Sequence, residues 1–485
     1  MLFLTLVIHL SALVGASKAS LNPRTFLDVC QEIASSVSDA SGVYYPPQLE
    51  YLQGVEHYMT SSIQASACVV APGTAKDVGK TLTIVGSSRT PFAVKGGGHA
   101  TNPDASSTTG IQITMSKFDE VTYNASSQTV VYGAGLIWDD VYAKLVPQGV
   151  NVVGGRLPGV GVAGFTLGGG YSWLSNQYGL TLDNVVAFEL VKPDGTVATI
   201  TDDSDADLFW ALRGGFNNYG IVTRFTQKAH PQGQVWGGAL TFTSNQLDKV
   251  AAATAKFAAE VTDPKASIIT TSDFLLTQPL VLLSVFYDGP KPPAGIFDDI
   301  LAIPFLTKDV KARDFPSLIQ TWPSELVAHQ RGIFNVAPVV NLTRNIVDAL
   351  LNESKFWGER LQFHSGSFVT YDIEPFLPSI LSSSASSAWP PTRDTAFLPQ
   401  NIAFLWLDPS QDEDFFDAAR QSAEQIKRVA LAEGQKVEGA SPYPNYAIFD
   451  TPVELIYGDN LSRMRSIKAK VDPNNVMGLT GGFKI

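Results

Sequence analysis

The chain of 485 residues is 45% hydrophobic and 16% charged, which allows two domains with buried cores and excludes a largely disordered protein. Its 46 acidic residues outnumber its 34 basic residues and give a formal net charge of -12, so nucleic acid is not an expected partner. Two cysteines and six scattered histidines have no spacing suited to metal ligands, and no metal site is expected.

The chain begins with a segment typical of a secretory signal peptide. An apolar run extends from Leu2 to Val14 and is followed by small residues up to Ala19. No lysine or arginine precedes the run, so a buried strand is the alternative interpretation. We predict a signal peptide over residues 1–19 and a secreted mature protein. Because no later apolar run is long enough to span a bilayer, no membrane association is expected.

Export would expose the chain to glycosylation and to oxidation. Four sequons are potential glycan acceptors, at Asn124, Asn341, Asn352 and Asn460. The only cysteines, Cys30 and Cys68, are expected to form one disulfide between an N-terminal helix and the first strand. Two buried thiols are the alternative.

The composition changes along the chain. Between residues 66 and 229, short apolar runs alternate with glycine clusters and predict strands separated by tight turns. Between residues 230 and 440, glycine is rarer and amphipathic runs such as Asn245–Val261 and Asp414–Gly434 are interleaved with alternating strands. This second pattern predicts an antiparallel sheet with helices on one face, an α+β unit.

The first glycine cluster follows a strand-like run, Phe92–Val94, and leads directly to His99. Consecutive glycines let backbone N–H groups converge on an anion, so Gly96, Gly97 and Gly98 are a candidate cradle for a pyrophosphate. The stretch is not a Rossmann fingerprint, because the GxGxxG spacing is absent and no helical pattern follows. A purely structural turn is the alternative.

Two further glycine-bearing stretches follow. Gly154–Tyr171 contains eight glycines in eighteen residues, which predicts neither a helix nor an ordinary strand and indicates that something lies against this backbone. Asp205–Phe225 is typical of a short helix with an acidic start, a glycine turn and an apolar strand.

Together these motifs resemble the FAD domain of the vanillyl-alcohol oxidase superfamily. The resemblance rests on Lys95–His99, Pro158–Gly170, Asp183 with Asn184, Asp205–Gly215 and Gly220–Thr223. Two C-terminal motifs narrow it to the berberine bridge enzyme-like branch, Tyr443–Tyr446 and Asn460–Asn474, and a last helix is predicted over Asn460–Val471. The resemblance implies an α+β fold of two domains. A PCMH-type FAD-binding domain is expected over residues 20–229, an antiparallel sheet-and-helix substrate domain over 230–440, and a segment returning to the FAD domain over 441–485.

By this resemblance, His99 holds FAD covalently through the 8α-methyl carbon of the flavin. Lys95 stands where arginine is usual. Leu157 occupies the position at which bicovalent members have a cysteine, so a single covalent bond is implied. The implied cofactor-binding residues are His99, Lys95, Gly96, Gly97, Gly98, Ala100, Pro158, Gly159, Gly161, Gly164, Gly168, Gly169, Gly170, Asp183, Gly220, Ile221, Val222 and Asn445.

The resemblance also implies hydride transfer from a substrate carbon to flavin N5, with reoxidation by dioxygen. Candidates for the catalytic base are Tyr446, beside Asn445, and Tyr371, Asp372 and Glu374 on one strand-like run. Alternation places Tyr371 on one face and the two acids on the other, and the sequence leaves open which face meets the flavin. A solvated face for the acids and core packing for the tyrosine are the alternatives. Tyr446 is the preferred candidate.

A small organic substrate and dioxygen are the expected partners, and the chain is expected to be a monomer. The middle region has aromatic residues that would line an apolar pocket, although most such residues fill cores: Phe274, Phe286, Trp322, Phe334, Trp389, Phe397 and Trp406. The Trp389–Pro391 region and the lack of the bicovalent cysteine resemble fungal members that oxidise secondary metabolites. The alternatives are an oligosaccharide or alcohol oxidase, and a cyclase or ligand-binding protein that retains FAD as a scaffold.

Overall fold

The computed structural model describes residues 25–275, 277–324, 327–382 and 385–485. The predicted signal peptide lies outside the described residues. Within these ranges, no helix is both long and apolar enough to cross a membrane.

The N-terminal part of the chain folds into a four-stranded sheet flanked by helices. Its elements are α1 (Phe26–Ser36), β1 (Gly42–Tyr44), α2 (Leu49–Val55), β2 (Cys68–Ala71), α3 (Ala75–Ser88), β3 (Phe92–Lys95) and β4 (Ile111–Thr114). The strand order is β1-β2-β4-β3, with β2, β4 and β3 parallel and β1 antiparallel to β2. A disulfide between Cys30 and Cys68 joins α1 to β2, which confirms the predicted pairing.

A second sheet follows, and it is antiparallel. The elements of this region are β5 (Val121–Asn124), β6 (Thr129–Gly133), α4 (Trp138–Leu145), β7 (Val150–Asn151), α5 (Val162–Leu167), α6 (Ser175–Tyr178), β8 (Val185–Val191), β9 (Val197–Ile200), α7 (Ala206–Leu212), β10 (Ile221–Lys228) and β11 (His230–Pro231). The strand order is β5-β6-β10-β8-β9, and β7 pairs separately with β11. Fully buried side chains from both sheets, such as Ile111, Tyr132 and Phe225, belong to one continuous core.

The glycine-rich stretch from Gly154 to Tyr171 contains a short helix. The prediction that no helix forms here is wrong, because Val162–Leu167 is helical. The helix has one internal glycine, Gly164, and is bounded by Gly161 and Gly168. Most of the glycines therefore lie outside the helix, where their conformational entropy does not oppose it.

The middle of the chain forms a seven-stranded antiparallel sheet covered by helices on one face. Its elements are β12 (Val235–Thr243), α8 (Leu247–Glu260), β13 (Ala266–Leu275), β14 (Gln278–Tyr287), α9 (Asp298–Leu301), β15 (Thr307–Arg313), α10 (Phe315–Ile319), β16 (Arg331–Val339), α11 (Arg344–Leu361), β17 (Gly366–Ile373), β18 (Leu398–Trp406) and α12 (Asp412–Ala432). The strand order is β15-β12-β14-β13-β17-β18-β16. Helix α11 packs on β13 and β17, α12 packs on β16, and α8 packs on α11. The expected α+β architecture is confirmed.

The C-terminal segment packs against the glycine-rich part of the chain. It contains α13 (Val453–Tyr457) and α14 (Asn460–Val471), and α14 contacts α7. The side-chain amide of Asn218 donates to the carbonyl oxygen of Phe483 at 3.0 Å, and that of Asn102 donates to the carbonyl oxygen of Ala447 at 2.9 Å. Residues more than two hundred positions apart are thereby held beside one another.

Candidate active site

A cavity of about 530 Å³ lies between the glycine-rich part of the chain and the uncovered face of the seven-stranded sheet. Residues 96–106, together with parts of the segments 156–167 and 216–222, line one side. The sheet contributes side chains from β13, β16, β17 and β18, and the C-terminal segment contributes residues 443–446 and 481–483. Three regions distant in sequence therefore share one cavity, as is typical of a cofactor and substrate site.

The glycine-rich wall fits an extended cofactor such as FAD. A Cβ atom added to Gly97 would lie 2.4 Å from the Cα atom of Gly161, so at this point two backbones are in direct contact and no side chain fits between them. A Cβ atom added to Gly164 meets no atom within 4 Å, because this glycine faces open space in the cavity. The wall presents backbone rather than side chains, which allows a flat ring and a pyrophosphate to approach closely.

His99 lines this cavity immediately after the glycine turn that ends β3. Its ring is half-buried and stacks on Tyr58, with ring centroids 4.2 Å apart and an angle of 13° between the planes. Burial lowers the pKa of His99 to about 4, so the imidazole is neutral near pH 7. A neutral imidazole has a nitrogen lone pair, which is the form required for a bond to carbon.

The structure brings many of the expected cofactor residues to the cavity. Those that line it are Gly96, Gly97, Gly98, His99, Ala100, Gly161, Gly164, Gly220, Ile221, Val222 and Asn445. Those that do not are Lys95, Pro158, Gly159, Gly168, Gly169, Gly170 and Asp183.

Lys95 and Asp183 lie outside the cavity because other groups hold them. The ammonium group of Lys95 donates to the carbonyl oxygen of Gln53 at 2.7 Å. The carboxylate of Asp183 forms an ion pair with Arg393 at 2.8 Å and accepts from the backbone amide of Leu180 at 3.0 Å. The side chains of these two residues therefore make structural contacts with the protein in this arrangement.

The glycines after α5 make room for neighbouring protein segments. A Cβ atom on Gly168 would lie 2.3 Å from Oδ1 of Asn445, and one on Gly169 would lie 2.7 Å from the Trp389 ring. The backbone amide of Gly170 donates to the Tyr443 hydroxyl at 3.1 Å. The sequence prediction that something lies against this backbone is correct at these positions, but the neighbour is the protein itself.

Gly159 and Pro158 also lie outside the cavity lining. The backbone amide of Gly159 donates to Oδ2 of Asp139 at 2.9 Å, and the residue has a φ of +80°, which favours glycine. This turn directs the chain toward Gly161.

A buried polar cluster stands on the sheet side of the cavity and consists of Arg156, Glu374 and Tyr446. Arg156 Nη2 lies 2.7 Å from Oε2 of Glu374 and donates to the Tyr446 hydroxyl at 3.0 Å. The Tyr446 hydroxyl in turn donates to Oε1 of Glu374 at 2.9 Å. The three groups come from the glycine-rich stretch, from the residue after β17 and from the C-terminal segment.

Burial raises the pKa of both candidate bases of this cluster, with different consequences near neutral pH. It raises the pKa of Glu374 to about 7, while the Arg156 guanidinium and the Tyr446 hydroxyl oppose the rise. The pKa of Tyr446 is raised well above its usual value, by burial first and by the nearby Glu374 carboxylate second. A phenol in this environment is a poor base near neutral pH, so Glu374 replaces Tyr446 as the better candidate.

The structure shows which face of β17 meets the cavity. Asp372 and Glu374 line it, with exposed fractions of 8% and 1%, so the solvated face considered for these acids is wrong. Tyr371 points to the opposite face, is fully buried, and its hydroxyl forms a hydrogen bond with Ser422 of α12 at 2.6 Å. Tyr371 therefore fills the core between the sheet and its helices, which corrects its place among the catalytic candidates.

Among the cavity residues that the sequence reasoning missed are Arg156 and Asn401. Arg156 is the only charged residue in the stretch Gly154–Tyr171, and that isolation among glycines and apolar residues is a signal that could have identified it. Asn401 lies in the apolar strand β18 directly opposite Asp372, and only the strand register reveals this pairing. Of the aromatic residues considered for a pocket, Trp322 and Phe334 line the cavity.

Comparisons with known proteins identify the family to which the chain is similar. A family model described as an FAD binding domain matches residues 66–201, and a model described as berberine and berberine like matches residues 442–480. The FAD-dependent monooxygenase drtC of Aspergillus calidoustus is 30% identical over 474 residues, covering 93% of this chain and 88% of that protein. An uncharacterized FAD-linked oxidoreductase of Arthroderma benhamiae is 39% identical over 281 residues, which is 56% of each chain.

The fold also matches solved structures. A structure of the G164A variant of berberine bridge enzyme, described as a reticuline dehydrogenase, superposes with a TM-score of 0.78 at 17% identity, covering 95% of this chain and 99% of that one. Identity this low supports the fold alone. With the two family models and the near full-length relative, it shows that the chain is an FAD-dependent oxidoreductase of the berberine bridge enzyme-like family.

Proposed function

We propose that this protein is a secreted oxidase that binds FAD covalently through His99 and oxidises a small organic molecule of the secondary-metabolite type, with dioxygen as the final electron acceptor. One observation carries the proposal. His99, the glycine backbone beside it and the buried cluster of Arg156, Glu374 and Tyr446 all line the same cavity.

The residues that would hold FAD are the glycine turn with His99 and Ala100, Gly161 and Gly164 around α5, and Gly220–Val222 with Asn445. When bound, FAD supplies a hydride acceptor. A single covalent bond is proposed because Leu157 lines the cavity and both cysteines of the chain are joined to one another, leaving no thiol for a second bond.

The proton chemistry belongs to the chain's own residues. Glu374, with a pKa near 7, is suited to accept a proton from the substrate as the hydride leaves. Arg156 keeps part of the Glu374 population ionised despite burial, because its guanidinium lies 2.7 Å away. The Tyr446 hydroxyl donates to Glu374 and so holds the carboxylate in one orientation.

The apolar side chains that line the cavity favour a small, partly aromatic molecule as the substrate. Trp322, Phe334 and Ile269 contribute apolar surface to the cavity, and the Phe334 ring makes an edge-to-face contact with Tyr446 of the polar cluster, with centroids 6.3 Å apart. The relative from Aspergillus calidoustus has the name of a monooxygenase, so incorporation of oxygen into the product is the second candidate outcome.

Secretion is proposed from the N-terminal sequence, and two further features support it. Cys30 and Cys68 are paired as expected for a chain that folds in an oxidising compartment. The sequon begins at Asn124, the exposed last residue of β5, and its side-chain oxygen accepts from the backbone amides of Ser126 and Ser127 in the following turn.

The covalent bond is tested by acid precipitation of the purified holoenzyme. Wild-type protein is expected to keep its yellow colour in the pellet, on the peptide containing His99, whereas His99→Ala should release all flavin to the supernatant. His230→Ala is the matched control, because His230 is also stacked on a tyrosine and has a pKa lowered to about 4, yet does not line the cavity. Colour in the wild-type supernatant would refute the bond.

The acceptor is tested with ¹⁸O₂ once a molecule that reduces the flavin has been found. Release of labelled hydrogen peroxide with an unlabelled product is the expected result for an oxidase. A labelled product would refute the oxidase proposal in favour of a monooxygenase.

A further inference from the structure

The aromatic ring stacked on His99 has no part in the chemistry of the buried polar cluster. The rings of Tyr58 and His99 are nearly parallel, with centroids 4.2 Å apart and an angle of 13° between the planes. His99 lines the cavity and Tyr58 does not, so the tyrosine leaves the cavity side of the imidazole free. Within the described ranges of the chain, no other residue forms a hydrogen bond with the imidazole, and its pKa is affected by burial and by its own backbone. The stack on Tyr58 is therefore the contact that can orient this ring.

Tyr58 itself is held from two sides. Its backbone amide donates to the carbonyl oxygen of Gly98 at 2.9 Å, and its carbonyl oxygen accepts from the backbone amide of His329 at 2.8 Å. Its hydroxyl donates to the carbonyl oxygen of Ser324 at 3.1 Å. Gly98 belongs to the glycine turn after β3, whereas Ser324 and His329 precede β16 of the seven-stranded sheet. The tyrosine is therefore fixed between the two domains and presents a fixed surface to the imidazole.

The backbone before His99 has little stiffness of its own. Three consecutive glycines precede the histidine, and glycine restricts backbone conformation less than any other residue. Gly98 has a φ of +71°, and a Cβ atom added to it would lie 3.2 Å from the carbonyl oxygen of Glu56. The segment 56–58 thus lies directly against the turn. Its backbone limits movement of the turn, and the Tyr58 ring limits rotation of the imidazole.

The orientation of the imidazole decides whether a bond to carbon can form. A neutral imidazole has one nitrogen lone pair, and that lone pair lies in the plane of the ring. Because the ring cannot turn out of this plane without losing its stack on Tyr58, the direction of the lone pair is restricted as well. Bond formation between held groups depends steeply on alignment, and a misplacement of about 1 Å can cost about 10²-fold in rate.

We infer that Tyr58 is a positioning residue for the covalent attachment of FAD to His99. The inference rests on the proposed function, in which the imidazole is bonded to the 8α carbon of the flavin. In the attachment a nitrogen–carbon bond forms, and the imidazole and the 8α-methyl group each lose one proton. The two electrons released pass through the flavin ring to dioxygen, which takes up two protons and becomes hydrogen peroxide. Tyr58 exchanges neither protons nor electrons in this step and holds the plane of the imidazole while the bond forms.

The test measures how fast the flavin becomes covalent in the full-length protein. Protein is purified at successive times after expression is induced, and acid precipitation separates covalent flavin in the pellet from flavin released to the supernatant. Tyr58→Leu removes the aromatic ring and should slow attachment at least about tenfold, because the imidazole loses its fixed orientation. Total flavin per protein should stay close to the wild-type value.

Two further variants separate stacking from general effects on folding. Tyr58→Phe keeps the stacked ring and loses only the hydroxyl, so attachment should stay within about threefold of the wild-type rate. Tyr178→Leu is the matched control, because Tyr178 stacks on His230 with centroids 3.7 Å apart and an angle of 14°, and neither residue lines the cavity. This variant also loses a tyrosine–histidine stack and should attach flavin at the wild-type rate.

Unchanged attachment in Tyr58→Leu, with the bond present in the wild type, would overturn the role of Tyr58 alone. Equal slowing in Tyr58→Phe would also overturn it, because a phenyl ring preserves the stack. Loss of total flavin in parallel with covalent flavin would overturn it as well, since the tyrosine would then act on folding or on FAD binding. Wild-type flavin found wholly in the supernatant would instead overturn the covalent bond itself, and the role of Tyr58 with it.

Discussion

The role of Glu374 as the catalytic base makes a specific prediction about pH. Because the pKa of its carboxyl group is raised to about 7, roughly half of the carboxyl groups are ionised at pH 7. The rate of flavin reduction should increase about tenfold per pH unit below pH 6 and reach a plateau above pH 8. Glu374→Gln has nearly the same shape but cannot accept the proton, and it should lower the plateau by about 10²–10⁴-fold.

Tyr446→Phe provides the comparison that separates the two candidate bases. The Tyr446 hydroxyl donates to Glu374, and this hydrogen bond favours the ionised carboxylate. A hydrogen bond to a charged group contributes about 1.5–3 kcal/mol, and Arg156 still stabilises the charge in the variant. The pKa in the rate profile should therefore rise by about one to two units, while the plateau stays within a few-fold of the wild-type value.

The assay is anaerobic stopped-flow reduction of the flavin between pH 5 and 9, with the first small molecule that bleaches it. Flavin content is measured in parallel to exclude loss of the cofactor. A Glu374→Gln plateau within tenfold of wild type would refute the assignment. A collapse of the plateau in Tyr446→Phe without a shift in pKa would identify the tyrosine as the base instead.

Three further predictions concern the cofactor wall, stability and glycosylation. Deleting residues 481–485 should abolish flavin retention in purified protein, because residues 481–483 line the cavity; unchanged absorbance at the flavin bands would contradict this. Replacing Cys30 and Cys68 by serine should lower the free energy of unfolding by about 4 kcal/mol, as expected for a closed loop of 38 residues, which denaturant titration would measure. In the exported protein, glycan mapping should find Asn124 occupied and Asn460 unoccupied, because Asn124 is exposed whereas the side-chain nitrogen of Asn460 donates to two backbone carbonyl groups; a glycan on Asn460 would refute this reasoning.

Much of the fold could be predicted from local patterns. The helix expected over Asn460–Val471 begins and ends where the structure has it, and the amphipathic run Asn245–Val261 differs from α8 by two residues at its start and one at its end. Such helices are amphipathic over several turns, so periodicity alone identifies them. The short α5 was missed because one and a half turns among eight glycines leave no periodic pattern to read.

The candidate site was predictable only where a single segment forms it. His99 and the glycines before it are adjacent in sequence, and the structure places them together at the cavity. The pairing of Glu374 with Arg156 joins residues more than two hundred positions apart, and the pairing of Asp372 with Asn401 depends on strand register. The surroundings of Tyr446, the preferred candidate base, were hidden for a related reason, because its pKa is raised by burial and by the nearby Glu374 carboxylate, and neither is visible in the local sequence.

The buried polar cluster is assembled from three separate regions of the chain, and this restricts how the enzyme can be recombined with its relatives. Arg156 belongs to the glycine-rich part, Glu374 to the seven-stranded sheet and Tyr446 to the C-terminal segment. A chimera that exchanges only the sheet would replace Glu374, and if the incoming sheet has no acidic residue at this position, the buried Arg156 guanidinium would lose its counter-charge. Amino-acid substitutions meant to alter substrate preference are therefore best confined to sheet positions such as Ile269 and Phe334. Both residues line the cavity and do not belong to the buried polar cluster.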